Sequence, residues 1–408
     1  MNPFIKKLQP YPFERLAALK AGVTPETDKA HIALSIGEPQ HAPPAFAIAE
    51  LEKHMEGLAA YPQARGIPEL RQAIAAWLQR RYDLGELIDP EQHVVPLTGT
   101  REGLFAFVQA AIDASKGAPA VLMPNPFYQI YEGAAYLAGA EPVYMNTTAE
   151  TGFLPDFSRI DQATWQAAQI VFICTPGNPT GAVMSIEQMQ ELIGLADEHD
   201  FIIVSDECYA ELYDEAGTPP PGLLEACKAM GRNDFKRCVV MHSLSKRSNL
   251  PGLRSGFAAG DADIIQPFIA YRTYHGCAMP LPAQHASIAA WNDDAHVSDN
   301  RRLYRQKYAL AEKILGEVTE LDIPSATFYL WMKTPIDAET FARKLFQQEN
   351  LTTLPGSYLS RDTDSGNPGE GYLRVSLVPD LAACEDALWR IRRVIESLQV
   401  RHETRERS

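Results

Sequence analysis

A chain of 408 residues, 46% of them hydrophobic, can bury a large core and is too long for one compact unit, so two domains are expected. Charged residues at 22% leave no room for an extended disordered or coiled-coil character. A formal net charge of -15 argues against partners that need a basic footprint, nucleic acid and anionic membranes alike, so an anionic substrate would need a local basic pocket.

In chain order, the opening residues 1–16 lack an apolar run ahead of a small-residue cleavage site. No later stretch approaches the roughly 18 unbroken apolar residues of a membrane span, and a cytoplasmic location is expected. The six cysteines form no CxxC pair, which suits reduced thiols and gives no metal site. The segment before Ala42 is irregular and expected to pack with a second domain. An apolar helix is predicted over residues 104–112. Short apolar runs at 120–123, 169–174, 201–204 and 238–241 read as buried parallel strands, because they show no polar alternation. Among them, residues 185–199 form an amphipathic helix opened by a Ser185/Gln188 capping box. Strand and helix in alternation mean an α/β, doubly wound, mostly parallel sheet. After Pro282 the texture changes: two long helical patterns, a strand at 327–331, a helix over 338–348, a strand at 372–377 and a final helix read as a smaller α+β domain. The expected division is 42–282 for the large domain, and 1–41 with 283–408 for the small one. The charged end, 401–408, is expected to fray.

Four loops carry the chemistry. Ser243-Leu244-Ser245-Lys246 follows a predicted strand, with Arg254 eight residues past the lysine. A lysine at the end of a buried strand is costly to keep charged, and its neutral amine is the form that makes a Schiff base. The two hydroxyls and the guanidinium suit a phosphate. Upstream, Asp206 in Ser205-Asp206-Glu207-Cys208-Tyr209 could pair with a protonated pyridine nitrogen, and Tyr209 could reach the ring's phenolic oxygen. Asn178, in the Pro- and Gly-fixed loop Thr175-Pro176-Gly177-Asn178-Pro179-Thr180-Gly181, could offer its amide to the same oxygen. Thr98-Gly99-Thr100-Arg101 precedes the helix at 104–112, where free N–H groups form an anion site. Each loop alone could be an ordinary turn. Together they sit at the carboxyl ends of predicted strands, where open α/β sheets bind ligands.

This set resembles the fold-type I, class I/II pyridoxal-phosphate-dependent aminotransferases over nearly the whole chain. The resemblance implies that Lys246 holds pyridoxal 5'-phosphate, that Tyr128 stacks on its ring with Phe127 a close competitor, and that Tyr61 reaches the phosphate in the neighbouring subunit of a homodimer. It also implies that Arg374 grips the substrate carboxylate beside the backbone of Gly37. Read on its own, Arg374 in an apolar strand already calls for an anionic partner, and a structural ion pair would serve equally. The implied reaction moves an amino group between glutamate and a 2-oxo acid.

Leu8-Gln9-Pro10-Tyr11-Pro12-Phe13, Ser35-Ile36-Gly37-Glu38-Pro39 and Tyr271-Arg272-Thr273-Tyr274-His275-Gly276 resemble the bacterial succinyldiaminopimelate aminotransferases of lysine biosynthesis. An aspartate-, aromatic- or alanine-type member of the class is the alternative. The extra carboxylates of the succinylated substrate would need a cation, and Arg101 and Arg272 are the candidates. Two rivals lose on context. Ser243 to Lys246 fits the S-x-x-K of penicillin-recognising hydrolases, and Ser298-Asp299-Asn300 supplies S-D-N, yet the nearest K-T-G is Lys333-Thr334-Pro335. A DNA-binding regulator of the same fold would add a basic helix-turn-helix.

Overall fold

A computed structural model describes residues 1–406, with side chains described to Val400. The described residues form twelve strands: β1 (Ile32–Ala33), β2 (Val94–Leu97), β3 (Ala120–Asn125), β4 (Glu141–Asn146), β5 (Ala168–Cys174), β6 (Ile202–Asp206), β7 (Cys238–Ser243), β8 (Gly256–Gly260), β9 (Tyr329–Lys333), β10 (Leu351–Thr352), β11 (Leu354–Pro355) and β12 (Tyr372–Ser376). Seven of them make one sheet in the order β2-β8-β7-β6-β5-β3-β4, parallel throughout except for β8, which runs against both neighbours. This is the α/β, mostly parallel architecture expected.

Period two decides which side chains meet. Leu122, Val171, Ile203 and Val240 point to one face, into a core with Trp77 and Trp291. Their neighbours Val121, Phe172, Val204 and Met241 point to the other, against Phe107 and Phe268. Helices cover both faces, so the central strands need no polar residue until their carboxyl ends. The predicted capping box holds: Ser185 accepts from the amide of Gln188 at 3.3 Å, Gln188 accepts from the amide of Ser185 at 2.9 Å, and the helix runs Ile186–His199.

The smaller sheet, β11-β12-β9, is antiparallel and packs on the helices Ala338–Glu349 and Leu381–Glu406. β1 pairs in parallel with β10, which ties residues 32–33 to this side of the molecule. The first residues lie elsewhere, since Lys7 pairs with Glu141 of β4. The helix after Pro280, Leu281–Asn292, was expected to belong with the smaller unit. It gives Ala283, Ala290 and Trp291 to the core of the large sheet instead, because the Trp291 ring is held between Trp77 (4.8 Å) and Phe257 (5.1 Å). The charged end expected to fray continues the last helix as far as Glu406, and Arg407 and Ser408 lie outside the described residues.

Trp291 is fully buried and its indole N–H has no hydrogen-bond partner. Trp291→Ala should therefore cost about 3–5 kcal/mol in urea unfolding, and Trp291→Phe markedly less, since phenylalanine refills most of the space and leaves no donor unpaired. Equal losses for the two variants would mean that the polar edge of the ring, not its volume, stabilises this core.

Candidate active site

The carboxyl ends of β5, β6 and β7 and the turn after β2 face one cavity of about 560 Å³. β7 ends at Ser243, which caps the short helix Leu244–Arg247 by accepting from the Ser245 amide at 3.0 Å. That turn brings Lys246 into the cavity, where its amine donates to the carbonyl of Gly37. Burial pushes the amine down to about 8, helped by the nearby guanidinium groups of Arg374 and Arg101.

On the adjacent strand, Asp206 closes β6 with only 5% of its surface exposed. Burial raises its carboxyl above the usual range, opposed by donors: the Tyr131 hydroxyl to Oδ2 at 2.8 Å and the Cys208 amide to Oδ1 at 3.3 Å. Tyr131 is held in place by lying flat on Phe172, with ring centres 4.4 Å apart.

The other end of the cavity is built for an anion. Gly99 has φ +85° and caps the helix Thr100–Ala111, whose first amides lack an intrahelical acceptor. Gly99 does not itself line the cavity. It makes room, since a Cβ there would stand 2.3 Å from the Arg254 guanidinium. Arg254 is fixed by the carbonyls of Pro251 (2.8 Å) and Thr98 (3.4 Å) and has no carboxylate partner among the described residues. With Thr100, Ser243 and Ser245 it lines the same wall.

Arg374, on β12, is 4% exposed. It donates to the Ser35 carbonyl at 2.6 Å and to Oδ1 of Asn178 at 2.9 Å, while its Nε has no partner. Because guanidinium can only donate, Asn178 must turn its oxygen to Arg374, and its NH2 remains to donate elsewhere. No ion pair to Arg374 occurs among the described residues, so the structural pairing that would have made it a mere core cation is absent. A buried cation left so costs several kcal/mol unless an anion arrives.

Tyr128 lines the cavity and accepts from Arg101 Nε at 2.6 Å, whereas Phe127 is buried away from it against Tyr144. Tyr209 also lines the cavity, its hydroxyl 2.8 Å from that of Tyr329. Tyr61 is fully exposed and is not part of the cavity of a single chain. Arg272 is a correction. Proposed from sequence as a cation for substrate, it is fully buried and donates to Glu102 at 2.6 Å and to the Cys277 carbonyl at 3.1 Å, so its charge is already spoken for. Glu102, His275 and Cys277 offer donor atoms within 4.8 Å of one another, but Arg272 and Thr98 already hold that carboxylate. The S-D-N triplet dissolves likewise: Asp299 pairs with Arg302 on the surface.

Several lining residues had no signal in the sequence. Tyr11 and Phe13 enter from the N-terminal arm, Tyr329 from β9 and Leu359 from a loop. Tyr329 explains Gly37, where a Cβ would fall 1.8 Å from its hydroxyl. Tyr11 and Phe13 lie in the segment noted for its resemblance, but nothing in it marked them as lining, and only the fold brings the four together.

The donor set fits pyridoxal phosphate: an anion wall at one end, a buried carboxylate at the other and a lysine of lowered basicity between. Comparison with known proteins agrees. The family model for class I and II aminotransferases matches residues 29–391. The LL-diaminopimelate aminotransferase of Desulforudis audaxviator is 33% identical over 95% of this chain and 96% of its own length. An aminotransferase of Neisseria meningitidis superposes with a TM-score of 0.93 at 46% identity, covering 97% of this chain and 100% of its own. A probable N-succinyldiaminopimelate aminotransferase of Thermus thermophilus gives 0.81 at 26% identity, over 94% and 99%.

With its amine pushed down to about 8, Lys246 in the cofactor-free protein should react with an amine-specific reagent at a rate that climbs to about pH 8 and then levels. Mass-spectrometric mapping of the labelled lysines reads this directly. A rate still rising toward pH 10, as for the surface lysines, would mean that burial does not control this amine.

Proposed function

The chain belongs to the class I and II aminotransferases, enzymes dependent on pyridoxal 5'-phosphate, and from that premise we propose that Lys246 holds the cofactor and moves the proton of the reaction. The bound cofactor supplies an electron-withdrawing ring that acidifies the α-carbon of an attached amino acid. The chain's own residues do the rest. Lys246, neutral in part near pH 8, takes the proton from the α-carbon and returns it on the cofactor side. Asp206, its charge supported by Tyr131 and the Cys208 amide, keeps the pyridine nitrogen protonated. Thr100, Ser243, Ser245 and Arg254 hold the phosphate, with Gly99 leaving room for the Arg254 guanidinium, Tyr128 stacks on the ring, and Tyr209 and the NH2 of Asn178 donate to the phenolic oxygen.

Arg374 carries this reading. A buried guanidinium with no carboxylate partner among the described residues, lining the same cavity as Lys246, suits the α-carboxylate of an amino acid, with the Gly37 backbone beside it. The amino donor is glutamate. The acceptor is the 2-oxo acid of N-succinylated diaminopimelate, and the chain serves lysine biosynthesis in the cytoplasm; the alternative is an aspartate-, aromatic- or alanine-type substrate. Support comes from the Thermus neighbour's name and from Arg101. Its Nε is bound to Tyr128, and among the described residues its other N–H groups make no hydrogen bond, which leaves them for a distal carboxylate. Six free cysteines accord with a reducing compartment. Among the described residues no helix is long and apolar enough to cross a membrane.

The working unit is a homodimer, in which the partner subunit's Tyr61 completes the phosphate site. Met55, Leu58, Tyr61 and Tyr274 are apolar and exposed in the single chain, as an interface requires. Light scattering should give twice the chain mass.

Titration of the purified enzyme with glutamate, followed by visible absorbance, tests the half-reaction: the cofactor band should convert to one at shorter wavelength, and Lys246→Ala should neither convert nor transaminate. Arg101→Met should lower kcat/KM for the succinylated substrate by about ten- to a hundredfold while leaving the glutamate half-reaction within about threefold. Equal losses in both would assign Arg101 to the cofactor instead.

A further inference from the structure

Behind the cavity runs a polar chain that the reaction does not use directly. Lys307, on the helix Ala295–Leu315, is 1% exposed and has no carboxylate partner among the described residues. Its three N–H groups go to the carbonyls of Leu377 (3.0 Å) and Val378 (3.4 Å), just past β12, and to Nε2 of His41 at 2.7 Å. His41 Nδ1 lies 2.8 Å from Oδ1 of Asn300. Asn300 in turn points its Nδ2 at the backbone carbonyl of Lys246, 3.4 Å away, and its Oδ1 accepts from Asn249 at 3.1 Å.

With Lys307 an ammonium, the form held below about pH 8, to which burial lowers its amine, the directions along this chain are fixed. An ammonium has no lone pair, so His41 Nε2 must accept, which makes the ring neutral with its proton on Nδ1. That proton requires an oxygen, so Asn300 must show Oδ1 to His41, and Asn249 needs the same oxygen. The amide NH2 of Asn300 is thereby left facing the Lys246 carbonyl. Two cations 2.7 Å apart would repel strongly, and burial together with the neighbouring Lys307 holds the His41 imidazole below its usual pKa, which favours the neutral ring. The His41 ring is also packed on Tyr304, with centres 4.5 Å apart.

We infer that His41 and Asn300 are positioning residues for Lys246, set in one orientation by Lys307, and that through them the turn bearing the cofactor-linked amine is fixed to the segment that leaves the Arg374 strand. Asn300 grips this turn on both sides of Arg247, at the carbonyl of Lys246 and the side chain of Asn249. The same lysine reaches Gly37 with its amine, so its two ends are pinned independently. The inference rests on Lys246 being the residue that carries pyridoxal phosphate.

The test compares His41→Phe with His41→Gln in the holoenzyme. Phenylalanine keeps the packing on Tyr304 and removes both ring nitrogens; glutamine keeps an acceptor for Lys307 and a donor for Asn300. In His41→Phe the turn loosens and Lys246 meets more water, so the pH midpoint of the visible cofactor band should rise by about half a unit or more. kcat should fall about ten- to a hundredfold, while KM for glutamate stays within about threefold. His41→Gln should restore midpoint and kcat to within about threefold of wild type. Should His41→Phe not fold, Asn300→Leu breaks the next link and must give the same upward shift. A His41→Phe or Asn300→Leu enzyme with the wild-type midpoint and kcat, beside a wild type with a normal titrating band, overturns the inference alone. A wild type whose bound cofactor shows no lysine-dependent band overturns the reading of Lys246 and the inference with it.

Discussion

A half-buried lysine and a buried aspartate meet in one cleft past the ends of two adjacent strands, β6 and β7, and the rest of the cleft answers to that. Burial shifts both toward their neutral forms: it lowers the amine to about 8 and raises the carboxyl. For the lysine, neutrality is useful. For the aspartate it would be harmful, and the Tyr131 hydroxyl and the Cys208 amide are placed to hold the charge. Tyr131 can do so only because Phe172 fixes its ring, and Phe172 belongs to the apolar run of β5. The alternation that buries the sheet thus also aims the donor that opposes the loss of charge at its carboxyl.

The same constraint resolves an apparent conflict of sign. The chain carries a formal charge of -15, yet Lys246, Arg101, Arg254 and Arg374 line the cavity against only Asp206 and Glu38. An anionic amino acid therefore meets a basic pocket inside an acidic protein. Net charge bears on the outer surface and on partners excluded by it, while the pocket is decided by which cations lack a local acid. Arg272 and Arg374 make the contrast. Both are buried arginines, but Glu102 neutralises the first, and the second has only a carbonyl and an amide oxygen as partners.

That contrast marks the limit of what could be read from residues alone. Three of the four loops were legible because each follows an apolar strand and carries its polar residues within a few positions, the fourth because it opens an apolar helix, and the capping box at Ser185 because it is local. β8 was not: Gly256-Phe257-Ala258-Ala259-Gly260 has no β-branched residue. Small residues are there because neighbouring backbone comes close, since a Cβ on Gly260 would lie 2.0 Å from the Cys238 carbonyl. β2 hid behind its proline, and the helix Leu281–Asn292 was assigned by texture while its core partner, Trp77, lies far back in the chain. Arg272 read as a free cation because its acid is distant in sequence. Tyr329 lies in no motif, and the N-terminal aromatics lie in one that carried no sign of their place in the cleft.

One feature of the topology bears on how such an enzyme can change. Every residue proposed to touch the cofactor within one chain comes from the large sheet and its loops, whereas Gly37 and Arg374 come from beside β1 and from β12, and Tyr11 and Phe13 from the arm before them. A few hydrogen bonds, from Arg374 to Asn178 and from Lys246 to Gly37, bind the two sets. Chemistry and the grip on the α-carboxylate are thus written in different stretches of the chain. Replacements in the arm or the small sheet can retune which amino acid is gripped while the proton-moving apparatus keeps its geometry, and a scaffold divided this way can be repurposed without relearning the reaction.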